Sequence, residues 1–281
     1  MRSMDSELDP NPAVTIFGKE ISMPVLVAPV GGVILNSKVP GDPATVEMDY
    51  NESVTKGAFD AGTLCFTGDG GMEYMFESGI VASKKREETV IPTIKPRSND
   101  QIIEKIKIAE QAHAFAVASD IDAATLINMH IFGQPVGPKS ASDIAELVKA
   151  TSLPFIVKGI MSPEEAIACA DAGAKGIVVS NHGGRILDGM VGTADVLPEI
   201  AKAVKGRLTI FVDGGVRHGE DVLKMLALGA DAVLIGRPIA IAAIGGQAEA
   251  VKLLLDALKR ELMDAMMITA STICPTYRRI S

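Results

Sequence analysis

Eight short apolar runs, each followed by a longer amphipathic stretch, constrain this chain more than any other feature. They are Pro24–Pro29, Thr63–Thr67, Thr89–Ile94, Phe115–Ala118, Pro154–Lys158, Gly176–Ser180, Leu208–Val212 and Ala232–Gly236. Runs that are apolar on both faces belong to a parallel sheet covered by helices. The stretches between them carry helix signals. Ser162-Pro163-Glu164-Glu165 reads as an N-cap, a first-turn proline and two acids near the positive end of the helix dipole. Gly219-Glu220-Asp221 opens a similar segment that Gly229 closes. Eight such units predict a (β/α)8 TIM barrel, a fold of about 250 residues, in a chain of 281.

The competing architecture is a doubly wound open sheet, and the lack of GxGxxG after the first run weighs against its Rossmann form. No Ser/Pro linker interrupts the chain, so residues 1–281 are read as a single domain. Residues 1–22 form an N-terminal extension in which Val14 to Lys19 is expected to make a hairpin under the barrel. The third run carries an internal Pro92.

Composition narrows the function. Lys and Arg total 27 against 35 Asp and Glu, a net charge of −8, and no dense basic tract is present. Such a chain is a poor nucleic-acid binder, and an anionic ligand needs a local positive site. Cys65, Cys169 and Cys274 are scattered, which predicts free thiols and neither a disulfide framework nor a metal site. The acidic start lacks the apolar core of a signal peptide, and no uninterrupted apolar stretch reaches spanning length. The expectation is a cytoplasmic protein with no membrane partner.

Chemistry in such a barrel gathers at the C-terminal ends of the strands. The fifth run ends at Lys158. The sixth ends in Ser180-Asn181-His182-Gly183-Gly184-Arg185, the seventh in Asp213-Gly214-Gly215-Val216-Arg217, and the eighth in Gly236-Arg237-Pro238. Glycines and helix N-termini after the last two strands let backbone N–H groups approach a phosphate, with Arg237 and Arg217 to neutralise it. The bland alternative is a tight DGG turn with Arg237 paired to a surface carboxylate. His182, between Asn181 and two glycines, has room to project into the pocket and take a proton, and Arg185 can hold a carboxylate. His113, at a helix-to-strand transition, His130, in a loop, and His218, beside the phosphate turn, lack this context.

These segments resemble a known family. LPFIVKGI, GIVVSNHGGRILDG, DVLPEI and DGGVRHGEDVLKMLALGADAVLIGRP are similar to the FMN-dependent α-hydroxy acid oxidases and dehydrogenases, the family of glycolate and lactate oxidase, in a shortened form. ISMPVLVAPVGG resembles the first strand of that family, whose backbone lies along the flavin, which implies Ala28, Pro29 and Val30 as cofactor contacts. The resemblance implies that Lys158 sits at the flavin N1–C2=O edge, that His182 is the base, and that Arg185 holds the substrate carboxylate. It places Ser180, Asp213, Gly214, Gly215, Arg217, Gly236 and Arg237 on FMN. Asp122 falls where the family has an aspartate that raises the proton affinity of the base, with Asp120 as the neighbouring candidate.

The departures are on the substrate side. Residues 1–27 contain no tyrosine, Ile94 aligns with a second expected tyrosine, and Ala123 to Phe132 offers no second arginine. Lys95 and Arg97 lie near the third run and have two readings, compensation for these missing groups or, the favoured one, solvated surface charge. The implied reaction is oxidation of a small L-2-hydroxy acid to the 2-oxo acid, with an unspecified electron acceptor and a homo-oligomer, a tetramer by resemblance. The rivals are an FMN protein of the same fold with different or lost substrate activity, and a flavin-free phosphate-binding barrel.

Overall fold

The computed structural model describes residues 9–271; Cys274 lies outside them. Strands β1 (Val14–Ile16) and β2 (Lys19–Ile21) pair antiparallel as the expected hairpin. Its Phe17 stacks near Phe115 and Phe211, with ring centroids 6.1 and 6.2 Å away, and so plugs the barrel bottom.

The eight runs are the eight staves of a closed parallel barrel: β3 (Val25–Val27), β4 (Cys65–Thr67), β5 (Val90–Ile94), β6 (Val117–Asp120), β7 (Phe155–Ile160), β8 (Gly176–Val179), β9 (Thr209–Val212) and β10 (Ala232–Ile235), with β10 returning to β3. Closure removes both sheet edges and leaves every strand apolar on two sides. Helices α1 (Val33–Asn36), α2 (Pro43–Asp60), α3 (Glu73–Lys85), α4 (Asn99–Gln111), α5 (Ile127–Ile131), α6 (Ala141–Lys149), α7 (Pro163–Asp171), α8 (Thr193–Val204), α9 (Gly219–Ala227) and α10 (Arg237–Thr269) cover it.

Two strands extend beyond the C-terminal ends of their apolar runs. β6 runs on to Asp120, because Ser119 and Asp120 pair in register with Val157 and Lys158 although both are polar. β7 continues past Lys158 to Ile160 through a register shift at Gly159, whose φ of 102° is a backbone state that glycine adopts freely. Pro92 lies inside β5, opposite Thr67. The caps are as expected: Ser162 accepts from the Glu165 amide at 3.2 Å, and Gly229 ends α9 with a φ of 119°.

At 33 residues, α10 is long and apolar enough by length and composition to cross a membrane, contrary to expectation. Non-helical backbone at Gly246 and Gln247 breaks it, and its second part buries Val251, Leu255, Leu258, Leu262 and Met266. It packs closely on α2, where a Cβ on Gly57 would lie 2.5 Å from that of Val251.

Candidate active site

The chemistry-bearing strand ends meet in one cleft. Ala28, Pro29 and Val30 after β3 face Gly236 and Arg237 after β10, with Lys158, His182, Arg185, Asp213, Gly214, Gly215 and Arg217 completing the wall. Gly214 and Gly215 adopt φ of 100° and 78°, and a Cβ on Gly214 would stand 3.0 Å from Thr193 Oγ1. The Thr193 hydroxyl in turn donates to the Asp213 carbonyl at 2.5 Å. Arg237 opens α10 with Pro238 in its first turn. Arg185, Arg217 and Arg237 are exposed. Among the described residues, none pairs any of their guanidinium groups with a carboxylate within salt-bridge distance, against the bland reading of Arg237.

Lys158 is buried at the centre. Its ammonium donates to Ser180 Oγ at 2.9 Å and lies 3.7 Å from Asp213 Oδ2. Burial alone pushes such a group down, but Asp213, Asp122 and Asp120 hold Lys158 above the ordinary lysine value. Ser180 Oγ also accepts the His182 amide at 3.1 Å. Ser180 thus ties the Lys158 ammonium to the backbone of His182 beneath the cleft. That bond steadies an uncommon backbone, since His182 has a φ of 57°, a state costing about 1–3 kcal/mol that concentrates at functional sites.

The imidazole is oriented from behind. His182 Nδ1 lies 3.1 Å from both Asp122 Oδ1 and Oδ2. A carboxylate only accepts, so Nδ1 carries the proton and Nε2 is the basic nitrogen. This selects Asp122 over Asp120 as the partner of the histidine. As expected, the Asp122 hydrogen bond raises the proton affinity of the base, but burial and the Lys158 charge outweigh it and push His182 below the ordinary imidazole value. Asp122 is itself pushed up by burial, yet Lys158 and His182 hold it below the ordinary aspartate value. The couple is thus neutral imidazole with ionised carboxylate.

A second cavity adjoins the first and shares Pro29, Val30, His182 and Arg185 with it. Gly31, Gly32, Gly68 to Gly71, Met75, Thr93, Leu126, Met129 and Phe132 line it, together with Lys95 and Asp120. Lys95 and Arg97, expected on the surface, are 7% and 3% exposed. Each is paired: Lys95 Nζ with Asp120 Oδ2 at 2.5 Å, and Arg97 with the fully buried carboxylate of Asp69. Ile94 is completely buried, so the residue that opens onto the cavity at the end of β5 is Lys95. His130, expected in a loop, sits in α5, and His218 is the N-cap of α9.

Asp69 and Glu47 escaped the sequence reading. Asp69 follows β4 at a Gly68-Gly70-Gly71 cluster, a signal of the same kind as DGG. Glu47 lies in mid-helix and gives no local sign. Its carboxylate accepts the Gly32 and Val33 amides at 3.0 and 2.9 Å and so anchors the loop after β3.

The residues present fit FMN. The cleft offers unpaired guanidinium groups and glycine backbone for a phosphate. Gly236 stands where a Cβ would come within 3.6 Å of that of Ala28. The Thr93 hydroxyl, buried without a partner, borders the adjoining cavity as a donor for a polar ring.

Comparison with known proteins agrees. The FMN-dependent dehydrogenase family model matches residues 79–276. The chain is 32% identical over 300 residues to 4-hydroxymandelate oxidase of Amycolatopsis orientalis, covering 95% of this chain and 81% of the relative. It is 33% identical over 284 residues to 2-hydroxyacid oxidase of Dictyostelium discoideum, covering 93% and 73%. A segment of 118 residues is 56% identical to L-lactate dehydrogenase of Caulobacter sp. (strain K31), covering 41% of this chain and 30% of that protein. A crystal structure of mandelate oxidase with benzoyl-formic acid superposes with a TM-score of 0.77 at 30% identity, over 94% of this chain and 79% of the other. Together with the barrel and its glycine- and arginine-lined strand ends, these matches make the chain a member of the FMN-dependent dehydrogenase family.

Proposed function

We propose that the protein oxidises a small L-2-hydroxy acid to the 2-oxo acid. The observation that carries this reading is the pairing of a carboxylate-oriented, neutral His182 with Arg185 on the wall shared by both cavities. FMN, when bound, supplies the two-electron acceptor for the α C–H bond. Gly214, Gly215, Gly236, Arg217 and Arg237 would hold its phosphate, and Ala28, Pro29 and Val30 would lie along its ring. Arg185 binds the substrate carboxylate in bidentate fashion. His182 Nε2 takes the hydroxyl proton, and Asp122 keeps the ring in the competent tautomer and stabilises the imidazolium formed. Lys158 contributes a fixed positive charge in a buried setting, where such charges act strongly.

A second reading, an FMN protein with different substrate chemistry, is favoured by the Lys95–Asp120 pair next to Ile94, the residue aligned with an expected tyrosine. Anaerobic mixing of the yellow protein with glycolate, L-lactate, mandelate and longer hydroxy acids separates the two. Bleaching of the flavin by any of them supports oxidation. A fully loaded flavoprotein that none bleaches favours the second reading. A colourless protein that FMN does not reconstitute overturns both.

A further inference from the structure

We propose that Lys95 is a positioning residue for the His182 base: its ammonium balances the charge of Asp120, leaving Asp122 as the carboxylate that hydrogen-bonds the imidazole. Oxygen atoms of Asp120 and Asp122 and a ring nitrogen of His182 all lie within 4.8 Å of one another. Charges that close shift a titration by about 1–3 units, and here solvent barely screens them, since the Lys95 and Asp120 side chains are 9% and 4% exposed. Asp120 gives one oxygen to Lys95 and, among the described residues, has no hydrogen-bond partner on the other. Its charge is therefore balanced chiefly by that single contact.

The position of Lys95 is itself built. Its backbone amide donates to Asp69 Oδ2 at 2.9 Å, and Arg97 grips the same carboxylate while donating to the Gly70 carbonyl at 2.7 Å. One buried ion pair thus places the lysine of the next.

The charged groups around His182 are Asp122, from the turn Ile121–Thr125; Asp120, at the end of β6; Lys158, from β7; Lys95, after β5; and Arg185, from its own loop. Lys158 is already opposed by Asp213. With the imidazole neutral, the lysines and Arg185 balance the three aspartates. Loss of the Lys95 charge leaves a net negative cluster, which draws a proton onto His182 and removes the free base.

The test is a nuclear magnetic resonance titration of the imidazole signals in the full-length protein, with His182 assigned through His182→Gln. Lys95→Met is expected to raise the His182 midpoint by about one unit. Asp120→Asn is expected to lower it, the double variant to return it close to wild type, and Lys95→Arg to preserve it. An unchanged midpoint in Lys95→Met, or shifts of the same sign in both single variants, overturns the proposal. Should Lys95→Met fail to fold, Asp120→Asn decides: a lowered midpoint supports the proposal and an unmoved one overturns it. The mechanistic consequence rests on the oxidation proposed above, and the two fail separately. If wild type bleaches with no hydroxy acid, that reading falls while the titration still decides the role of Lys95.

Discussion

A Cβ on Gly159 would lie 2.5 Å from the Cβ of Asp122 and 2.9 Å from its amide nitrogen. The bulge of β7 therefore exists where the carboxylate behind His182 needs backbone to approach backbone. Gly159→Ala meets both this clash and a φ of 102°, and should destabilise the fold by about 1–3 kcal/mol. Denaturant unfolding measures that cost. Because Asp122 must move, the His182 imidazole titration should change with it; an unaltered titration would show that the contact is incidental.

His182→Gln removes the proton acceptor and keeps the shape. Flavin bleaching by a hydroxy acid should slow by about 10²–10⁴-fold, while FMN stays bound, since the phosphate contacts lie after β9 and β10. Stopped-flow absorbance reads the first effect and the spectrum of purified protein the second. Undiminished bleaching counts against the histidine as base.

Arg237→Ala and Arg217→Ala act on the cofactor instead. A hydrogen bond to a charged group contributes about 1.5–3 kcal/mol, so each change should weaken FMN binding roughly 10–100-fold. Titration of FMN fluorescence with apoprotein measures the constant. Wild-type affinity in both variants would move the phosphate elsewhere.

The pH dependence follows from the direction of the shifts. His182 sits below the ordinary imidazole value of 6.5, so the acid limb of flavin reduction should fall below about pH 6.5. The folded state binds this proton less well than the unfolded chain. The associated stability is complete above the unfolded value and is lost as pH falls through that value toward the folded one. Asp122, also held low, contributes stability above the ordinary aspartate value that is lost on further acidification. Wild type and His182→Gln compared by thermal unfolding between pH 5 and 7.5 (a range spanning the usual His value) isolate the histidine part; parallel curves would contradict the shift.

Glu47→Ala removes the carboxylate that accepts the Gly32 and Val33 amides, of which the Val33 donor is buried. A buried unpaired donor costs about 1–3 kcal/mol, and the loop bearing Pro29 and Val30 loosens. Lower denaturation midpoints together with weaker FMN binding are expected. Lost stability with unchanged FMN affinity would confine Glu47 to the fold.

Particular residues show how far one-dimensional reading reaches here. The eight staves were legible because a parallel strand buried on both faces must be apolar at every position, a pattern that needs no partner to be recognised. Lys158, His182, Arg185 and Arg237 were legible because the fold puts strand ends in one place and glycines mark where backbone must approach a ligand. Lys95 and Arg97 were misread for the converse reason. A cation looks solvated until the carboxylate that buries it is known, and Asp120 and Asp69 come from other strands.

The barrel and the meeting of Lys158, His182, Arg185 and Arg237 in one cleft were thus written in local patterns of apolar runs and glycine-flanked polar residues. The choice of Asp122 over Asp120, the depressed basicity of His182 and the burial of two salt-bridged cations were settled only by tertiary structure. The physical reason is that proton affinity depends on charges a few ångströms away in space, and closing a barrel brings together side chains that the chain itself keeps far apart.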